Sequence, residues 1–288
     1  MDFKYNDVEP EHLGGGVVLF RNAISFDSET ACRYAEEQIA SEQADMYTEI
    51  IHPETGEKAF ANRSKYIFDY DGIMSMPRRG SKVHHTEHKE FREFLTFVEE
   101  SKDKYLLKYF FLFPISYKTV WWKVKGHLVS YSTEYGGKHL GQHCDTSAEY
   151  SYGIDHPQEQ LATRSTISTL VYLNDNFKGG NHYFNYLDIE YVPHAGDIMF
   201  FPSNYMATHE VKHIEGGSRY TYLGWYSHGS PNSEYNEHIV DPIKHPEMAE
   251  YATNVYMPTL RQDFKSYLEL VDPGKLNHGH KLVEKING

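Results

Sequence analysis

The chain has only two cysteines, Cys32 and Cys144. That excludes a disulfide framework and points to a reducing, cytoplasmic setting. Positive charge is also scarce. Lys plus Arg number 28 against 41 Asp plus Glu, a formal net charge of -13. Such a surface repels polyanions, which disfavours nucleic acid and anionic membranes as partners. No run approaches the roughly 18 consecutive apolar residues that a membrane span needs. The first residues, MDFKYNDVEPEHLGGG, lack a basic start followed by an apolar run, so no signal peptide is expected. Internal repeats, low-complexity tracts and long linkers are missing too. The 288 residues suit one large domain or two small ones, and no boundary stands out.

Aromatic residues are plentiful: 24 Tyr and 16 Phe. These favour strands and can line pockets, so the first expectation is a β-rich core with tyrosines at its rim. GVVLF (residues 16–20) reads as a short buried strand. Asp27 or Ser28 can cap a helix that carries Ala31, Ala35 and Ile39 on one face. A long helix is predicted after Thr86, where Phe91, Phe94, Leu95 and Val98 follow the i, i+3, i+4, i+7 spacing of a core-facing stripe. From about Thr119 the character changes. TVWWKVKGHLVSYS, RSTISTLVYLN, GDIMFF and SRYTYLGW read as strands, and NDNFKGG as a turn. Leu260, Phe264, Leu268 and Val271 predict one more helix, stopped by Asp272-Pro273-Gly274. The expected fold is mainly β with flanking helices, in one domain. Residues 1–115 would form a helix-rich support, 116–228 the β core, and 229–288 a helical extension offering a surface for oligomerisation.

His209-Glu210-Val211-Lys212-His213 spells H-E-x-x-H, which on a helix makes a zinc peptidase site with Glu210 polarising the water. The preceding FFPSNYMAT and the following glycines and β-formers are poor helix. The extended zinc signature also needs a third histidine where this chain has Arg219, which stays protonated and cannot bind a metal.

His143 and Asp145 lie two residues apart, a spacing that puts side chains on one face of a strand. A third ligand from another strand would complete two histidines and a carboxylate on one octahedral face, as in non-haem Fe(II) oxygenases. His182, His194, His209 and His213 are the candidates. Of these, His209 opens a plausible hairpin. A turn near Ile214 would bring His209 and Arg219 together on adjacent antiparallel strands. Arg219 and Thr221 share a face, and a guanidinium beside a hydroxyl can grip the far end of a dicarboxylate.

The motifs YSTEYGGKHLGQHCD, RSTISTLVYLNDNFKGG, VPHAGDIMFFPS and HEVKHIEGGSRYTYLGW occur in this order between about Leu128 and Trp225. In this the chain resembles the 2-oxoglutarate/Fe(II)-dependent oxygenases, of the prolyl 4-hydroxylase-like branch. The resemblance implies a double-stranded β-helix, a jelly-roll or cupin-like core. It implies Fe(II) on His143, Asp145 and His209, and Arg219 on the remote carboxylate of 2-oxoglutarate. Tyr131, with Tyr135 as the alternative, and Thr221 would assist at the cosubstrate. It also implies O₂ as co-reactant, a supporting role for ascorbate, and hydroxylation of an unactivated C–H bond with release of succinate and CO₂. The substrate would be a peptidyl residue, proline first, or an amino-acid-like small molecule. A carboxylate at Asp145 argues against halogenation, since related halogenases have a small residue there.

The chain departs from that pattern in three places. Arg219 stands where prolyl hydroxylases often carry Lys. NHYF follows Gly179-Gly180 where a Thr is usual. The loop from Asp145 to Arg164 is long. Long loops are often lids or binding segments, so Tyr150, Tyr152 and His156 are candidate substrate contacts, as are Arg78 and Arg79 in GIMSMPRRGS. The cluster His84, His85 and His88 reads as a polar helix start. A zinc metallopeptidase and a non-catalytic jelly-roll binding module are the competing readings.

Overall fold

The computed structural model describes residues 1–52, 55–62, 73–74, 79–81, 88–134, 138–145, 163–229, 239–240, 254–257, 262–266 and 269. Eight strands form its centre. They are β1 (Trp122–Ser132), β2 (Leu140–His143), β3 (Thr163–Tyr172), β4 (His182–Phe184), β5 (Ile189–Tyr191), β6 (Ile198–Pro202), β7 (His209–Val211) and β8 (Ser218–Gly229). One sheet has the order β1-β8-β3-β6 and the other β2-β7-β4-β5, with antiparallel pairing throughout. From β1 to β4 and again from β5 to β8, the chain alternates between the sheets. This is the double-stranded β-helix.

The larger sheet continues past β6 into Val17–Phe20 and Glu11–Gly14. On its other edge, Asn254–Tyr256 and Arg79–Ser81 both pair with β1. Both ends of the chain therefore add strands to the core sheet. The first 115 residues hold a further two-stranded ribbon and a small three-stranded sheet besides their helices. In the C-terminal part, residues 262–266 are helical, and Phe264 packs on Phe110, Phe111 and Tyr117 at ring distances of 5.0, 5.3 and 5.4 Å. Leu260, Leu268 and Val271 lie outside the described residues.

Strand alternation sorts side chains into two cores. Val18, Phe20, Ile167, Val171, Ile198, Phe200, Tyr222 and Tyr226 point outward from the large sheet, under the helices. Val17, Leu19, Leu170, Tyr172, Met199 and Phe201 point inward, toward the small sheet. The helices are α1 (Ser28–Met46) and α2 (Lys89–Leu112). Asp27 caps α1 by accepting the Thr30 backbone N–H at 3.1 Å, and Ala31, Ala35 and Ile39 are buried as expected. Phe91, Phe94, Leu95 and Val98 of α2 are buried too, each contributing about 1.5–3 kcal/mol relative to exposure. His88 at the head of α2 pairs with Glu37 at 2.9 Å, in keeping with a polar helix start.

The tyrosines correct one expectation. Tyr105, Tyr172, Tyr222 and Tyr226 are fully buried rather than at the rim. Two of them pair with a buried charge network below the large sheet. Tyr222 donates to Glu99 at 2.7 Å and Tyr226 to Asp103 at 2.9 Å. Lys102 lies 3.0 Å from Glu99, and Lys123 lies 2.6 Å from Asp103 and 3.4 Å from Glu99. Burial disfavours the charged Glu99, but Lys102, Lys123 and the Tyr222 hydroxyl outweigh it and hold the carboxyl at about 2. Asp103 moves the other way. Burial and the neighbouring Glu99 charge raise it more than Lys123 lowers it.

Candidate active site

His143 ends β2 and His209 opens β7, and the two residues are register partners. Asp145 follows just beyond the strand end, so the pair does not sit on one regular strand as expected. The carboxylate is instead brought round by the turn of the chain after His143. The result is the predicted convergence: the ligand atoms of His143, Asp145 and His209 all lie within 4.8 Å of one another. The Nε2 atoms of His143 and His209 are 3.7 and 3.9 Å from Asp145 Oδ1.

The surroundings aim these groups. His143 Nδ1 contacts the Gly141 carbonyl at 2.8 Å, and His209 Nδ1 contacts the Ala207 carbonyl at 3.0 Å. Each carbonyl calls for a proton on Nδ1, which leaves Nε2 bare and directed at the common point. Burial, opposed by Asp145 and aided by His143, pushes His209 down to about 4, so its imidazole is neutral and able to ligate near pH 7. Asp145 Oδ2 accepts hydrogen bonds from Ser168 Oγ and, at 3.0 Å, from Trp225 Nε1. Ser168 is in turn 2.8 Å from Ser203. Oδ2 is thus occupied, and Oδ1 faces the histidines. Two imidazoles and a fixed carboxylate aimed at one point suit a divalent metal, Fe(II) above all.

Arg219 belongs to the facing sheet. It is on the inward face of β8, opposite Tyr131 of β1, and only 1% exposed. Its guanidinium carbon sits 5.6 Å from the Tyr131 ring and 5.2 Å from the Tyr172 ring. Nε donates to Thr221 Oγ1 at 3.3 Å and Nη1 to the Gly180 carbonyl at 2.6 Å. Among the described residues no carboxylate pairs with it. A buried guanidinium without a counter-ion is costly, and an anionic ligand removes that cost. The Gly180 carbonyl is presented by a turn in which Gly179 and Gly180 have φ of 75° and 66°.

One expected relationship is wrong. His209 and Arg219 are not on adjacent antiparallel strands. β7 pairs with β2 and β4, whereas β8 pairs with β1 and β3. Ile214–Gly216, between them, pairs with Lys178–Gly179 and carries the chain from one sheet to the other. Metal point and guanidinium therefore belong to opposite walls of the sandwich.

The H-E-x-x-H reading fails on geometry. His209–Val211 is a strand, and His213 is exposed and stacked on His139 at 4.1 Å. Glu210 pairs with Lys212 at 2.5 Å. His194 is exposed beside Asp175 at 3.8 Å. Of the candidate substrate residues, Arg79 begins a strand opposite Ser130 rather than lying in a loop. Arg78, Tyr150 and Tyr152 lie outside the described residues, as do Tyr135, His84, His85 and His156.

Three residues escaped the sequence reading: Ser168, Trp225 and Tyr172. Inward alternation on β3 and β8 was the available signal for them. The Tyr172 hydroxyl is buried without a partner among the described residues. His182 was considered as a ligand, but it stands outside the triad. Its ring stacks on His209 at 4.7 Å and 20°, and burial keeps it well below the ordinary imidazole range, with His209, Arg219 and His143 adding to the effect.

The fold and the three converging ligands define a metal-dependent enzyme of the non-haem iron class. Residues 126–227 match the family model described as the 2OG-Fe(II) oxygenase superfamily. The match joins that segment to a superfamily whose enzymes use Fe(II), 2-oxoglutarate and O₂, in keeping with the converging His143, Asp145 and His209. No curated protein is similar enough to count as a match. Among solved structures, the chain is similar to a viral collagen prolyl hydroxylase from Paramecium Bursaria Chlorella virus-1, at 11% identity and a TM-score of 0.40, covering 71% of this chain and 92% of that one. It is similar to a Pseudomonas putida prolyl-4-hydroxylase, at 14% identity and a TM-score of 0.43, covering 74% and 92%. It is also similar to a Trichoplax adhaerens prolyl hydroxylase in complex with a hypoxia inducible factor peptide fragment, at 14% and 0.43, covering 74% and 83%. No described helix is long and apolar enough to cross a membrane.

Proposed function

We propose that the protein is a hydroxylase of the prolyl 4-hydroxylase-like branch, acting on an unactivated C–H bond. His143, Asp145 and His209 hold Fe(II), and Arg219 with Thr221 takes the far carboxylate of 2-oxoglutarate. The observation that carries the reading is the buried Arg219, without a described counter-ion, opposite an aimed His-Asp-His triad. Tyr131 stacks on that guanidinium, and the orphaned Tyr172 hydroxyl is a second donor beside it. When bound, the iron with 2-oxoglutarate and O₂ supplies the oxidation. The protein supplies orientation: two imidazoles aimed by backbone carbonyls and one free carboxylate oxygen.

The substrate is a peptidyl residue, proline first, or an amino-acid-like small molecule, by the likeness of the motifs. Tyr150, Tyr152, Arg78 and Arg79 are its proposed contacts. Ascorbate supports turnover by keeping the iron reduced. The two free cysteines and the acidic charge suit a cytoplasmic enzyme. The whole chain is read as one oxygenase domain: a support (1–115), the jelly-roll core (116–228) and an extension (229–288) suited to an oligomer contact.

The test is succinate formation from 2-oxoglutarate with Fe(II), O₂ and ascorbate. His143→Ala should abolish it, and Glu210→Gln should leave it within about twofold. Stoichiometric zinc together with peptide cleavage that needs Glu210 would overturn the reading in favour of a metallopeptidase.

A further inference from the structure

His182 is the most anomalous buried group in the described core. It opens β4, paired with Val211 on one side and Tyr191 on the other, and is 2% exposed. Neither ring nitrogen has a hydrogen-bond partner among the described residues. A neutral imidazole carries one N–H donor and one acceptor, and burying both unmet is unfavourable. Packing alone does not call for it. The ring is walled by Phe184 at 4.8 Å, Phe201 at 5.8 Å and the face of His209, a setting a leucine would suit. Through that stacked face the ring adjoins the triad. The same short segment also holds Arg219, through the Gly180 carbonyl.

We propose that His182 is a further anchor for the oxo acid, its imidazole N–H donating to a carboxylate oxygen of bound 2-oxoglutarate. The proposal rests on the reading above, in which the triad and Arg219 bracket that molecule. His182 then supplies to the small-sheet side of the cavity what Arg219 supplies to the large-sheet side. An imidazole here accommodates a dicarboxylate and disfavours an apolar analogue.

The test uses the full chain loaded with Mn(II) in place of iron, without O₂, titrated with 2-oxoglutarate in a calorimeter. Wild type is compared with His182→Leu, His182→Gln and Arg219→Ala. A hydrogen bond to a charged group predicts that His182→Leu weakens 2-oxoglutarate binding about ten- to a hundredfold. Mn(II) affinity without 2-oxoglutarate should stay within about threefold, and the ligand-free melting temperature should hold or rise. His182→Gln, which keeps an N–H, should recover part of the loss. Two outcomes overturn the role of His182 while leaving the broader reading intact: 2-oxoglutarate affinity unchanged in His182→Leu, or a loss matched by an equal loss of Mn(II), as expected if the ring only props His209. Unchanged binding in Arg219→Ala overturns the broader reading and this proposal with it. Should His182→Leu not fold, ring ¹⁵N NMR of the Zn(II)-loaded wild type decides. 2-Oxoglutarate should then protect a histidine ring N–H from exchange, an N–H identified by its absence in His182→Gln. No such change would refute the proposal, a buried water being the partner instead.

Discussion

His209 and Arg219 hang from opposite sheets of the sandwich, His209 on β7 between β2 and β4 and Arg219 on β8 between β1 and β3. Each is held by its own wall of the sandwich, so the two can be perturbed separately. Arg219→Ala should weaken 2-oxoglutarate binding by about a hundredfold or more, the scale of losing a bidentate charged contact. Metal binding should be unchanged. Parallel titrations with 2-oxoglutarate and with Mn(II) alone would check this, and a joint loss of both would contradict it.

The orientation of Asp145 gives a second expectation. Trp225 and Ser168 both occupy Oδ2 and leave Oδ1 for the metal. Trp225→Phe and Ser168→Ala should each reduce metal affinity by about ten- to a hundredfold, the usual effect of removing a ligand's hydrogen-bond partner. The readout is an Mn(II) titration followed by electron paramagnetic resonance, with a thermal melt to confirm folding. Affinities equal to wild type would mean that the carboxylate needs no such support.

The buried network under the large sheet sets acid stability. The Glu99 carboxyl is held at about 2 against an ordinary 4.5, so its contribution is present above 4.5 and is lost as pH falls toward 2. Asp103, shifted upward, opposes part of that slope. Urea melts between pH 5 and pH 2.5 should therefore show stability falling with acid. Glu99→Gln should cost about 3 kcal/mol at neutral pH by stranding the buried Lys102, whose ion pair it is, and should flatten the acid slope. An unaltered slope would exclude Glu99 as its source.

Gly126 lies mid-strand in β1, where the register with β8 shifts between Leu223 and Trp225. A Cβ built there would overlap the Leu223 carbonyl oxygen and crowd the Tyr222 ring. Gly126→Ala should destabilise by about 1–3 kcal/mol. Because β8 carries Arg219 and Trp225, it should weaken metal and 2-oxoglutarate binding together. A variant with wild-type stability would show that the strands can part there freely.

Much of the fold and site is legible in the sequence. The α2 stripe of Phe91, Phe94, Leu95 and Val98 is buried as its spacing required, because helical periodicity is local. His143, Asp145 and His209 converge as their motifs implied. The hairpin expected between His209 and Arg219 does not exist. Nothing in IEGG tells whether a turn returns a strand to its own sheet or passes it to the facing one. Tyr222 and Tyr226 read as rim residues, since only α2, remote in sequence, provides the carboxylates that let them be buried.

Spacing and side-chain chemistry, both present in the sequence alone, pointed to a β-rich core with flanking helices, a converging His143 and Asp145, and an arginine suited to a dicarboxylate; the double-stranded β-helix and the full candidate ligand set came from the resemblance of the motifs. Tertiary structure decided which wall each group hangs from, which oxygen of Asp145 is left free, and that His182 is buried with both nitrogens unmet. The physical reason is that strand periodicity fixes the face a residue presents along its own strand. The partner it meets depends on how distant strands pair, which is settled only when the two sheets close over a common core.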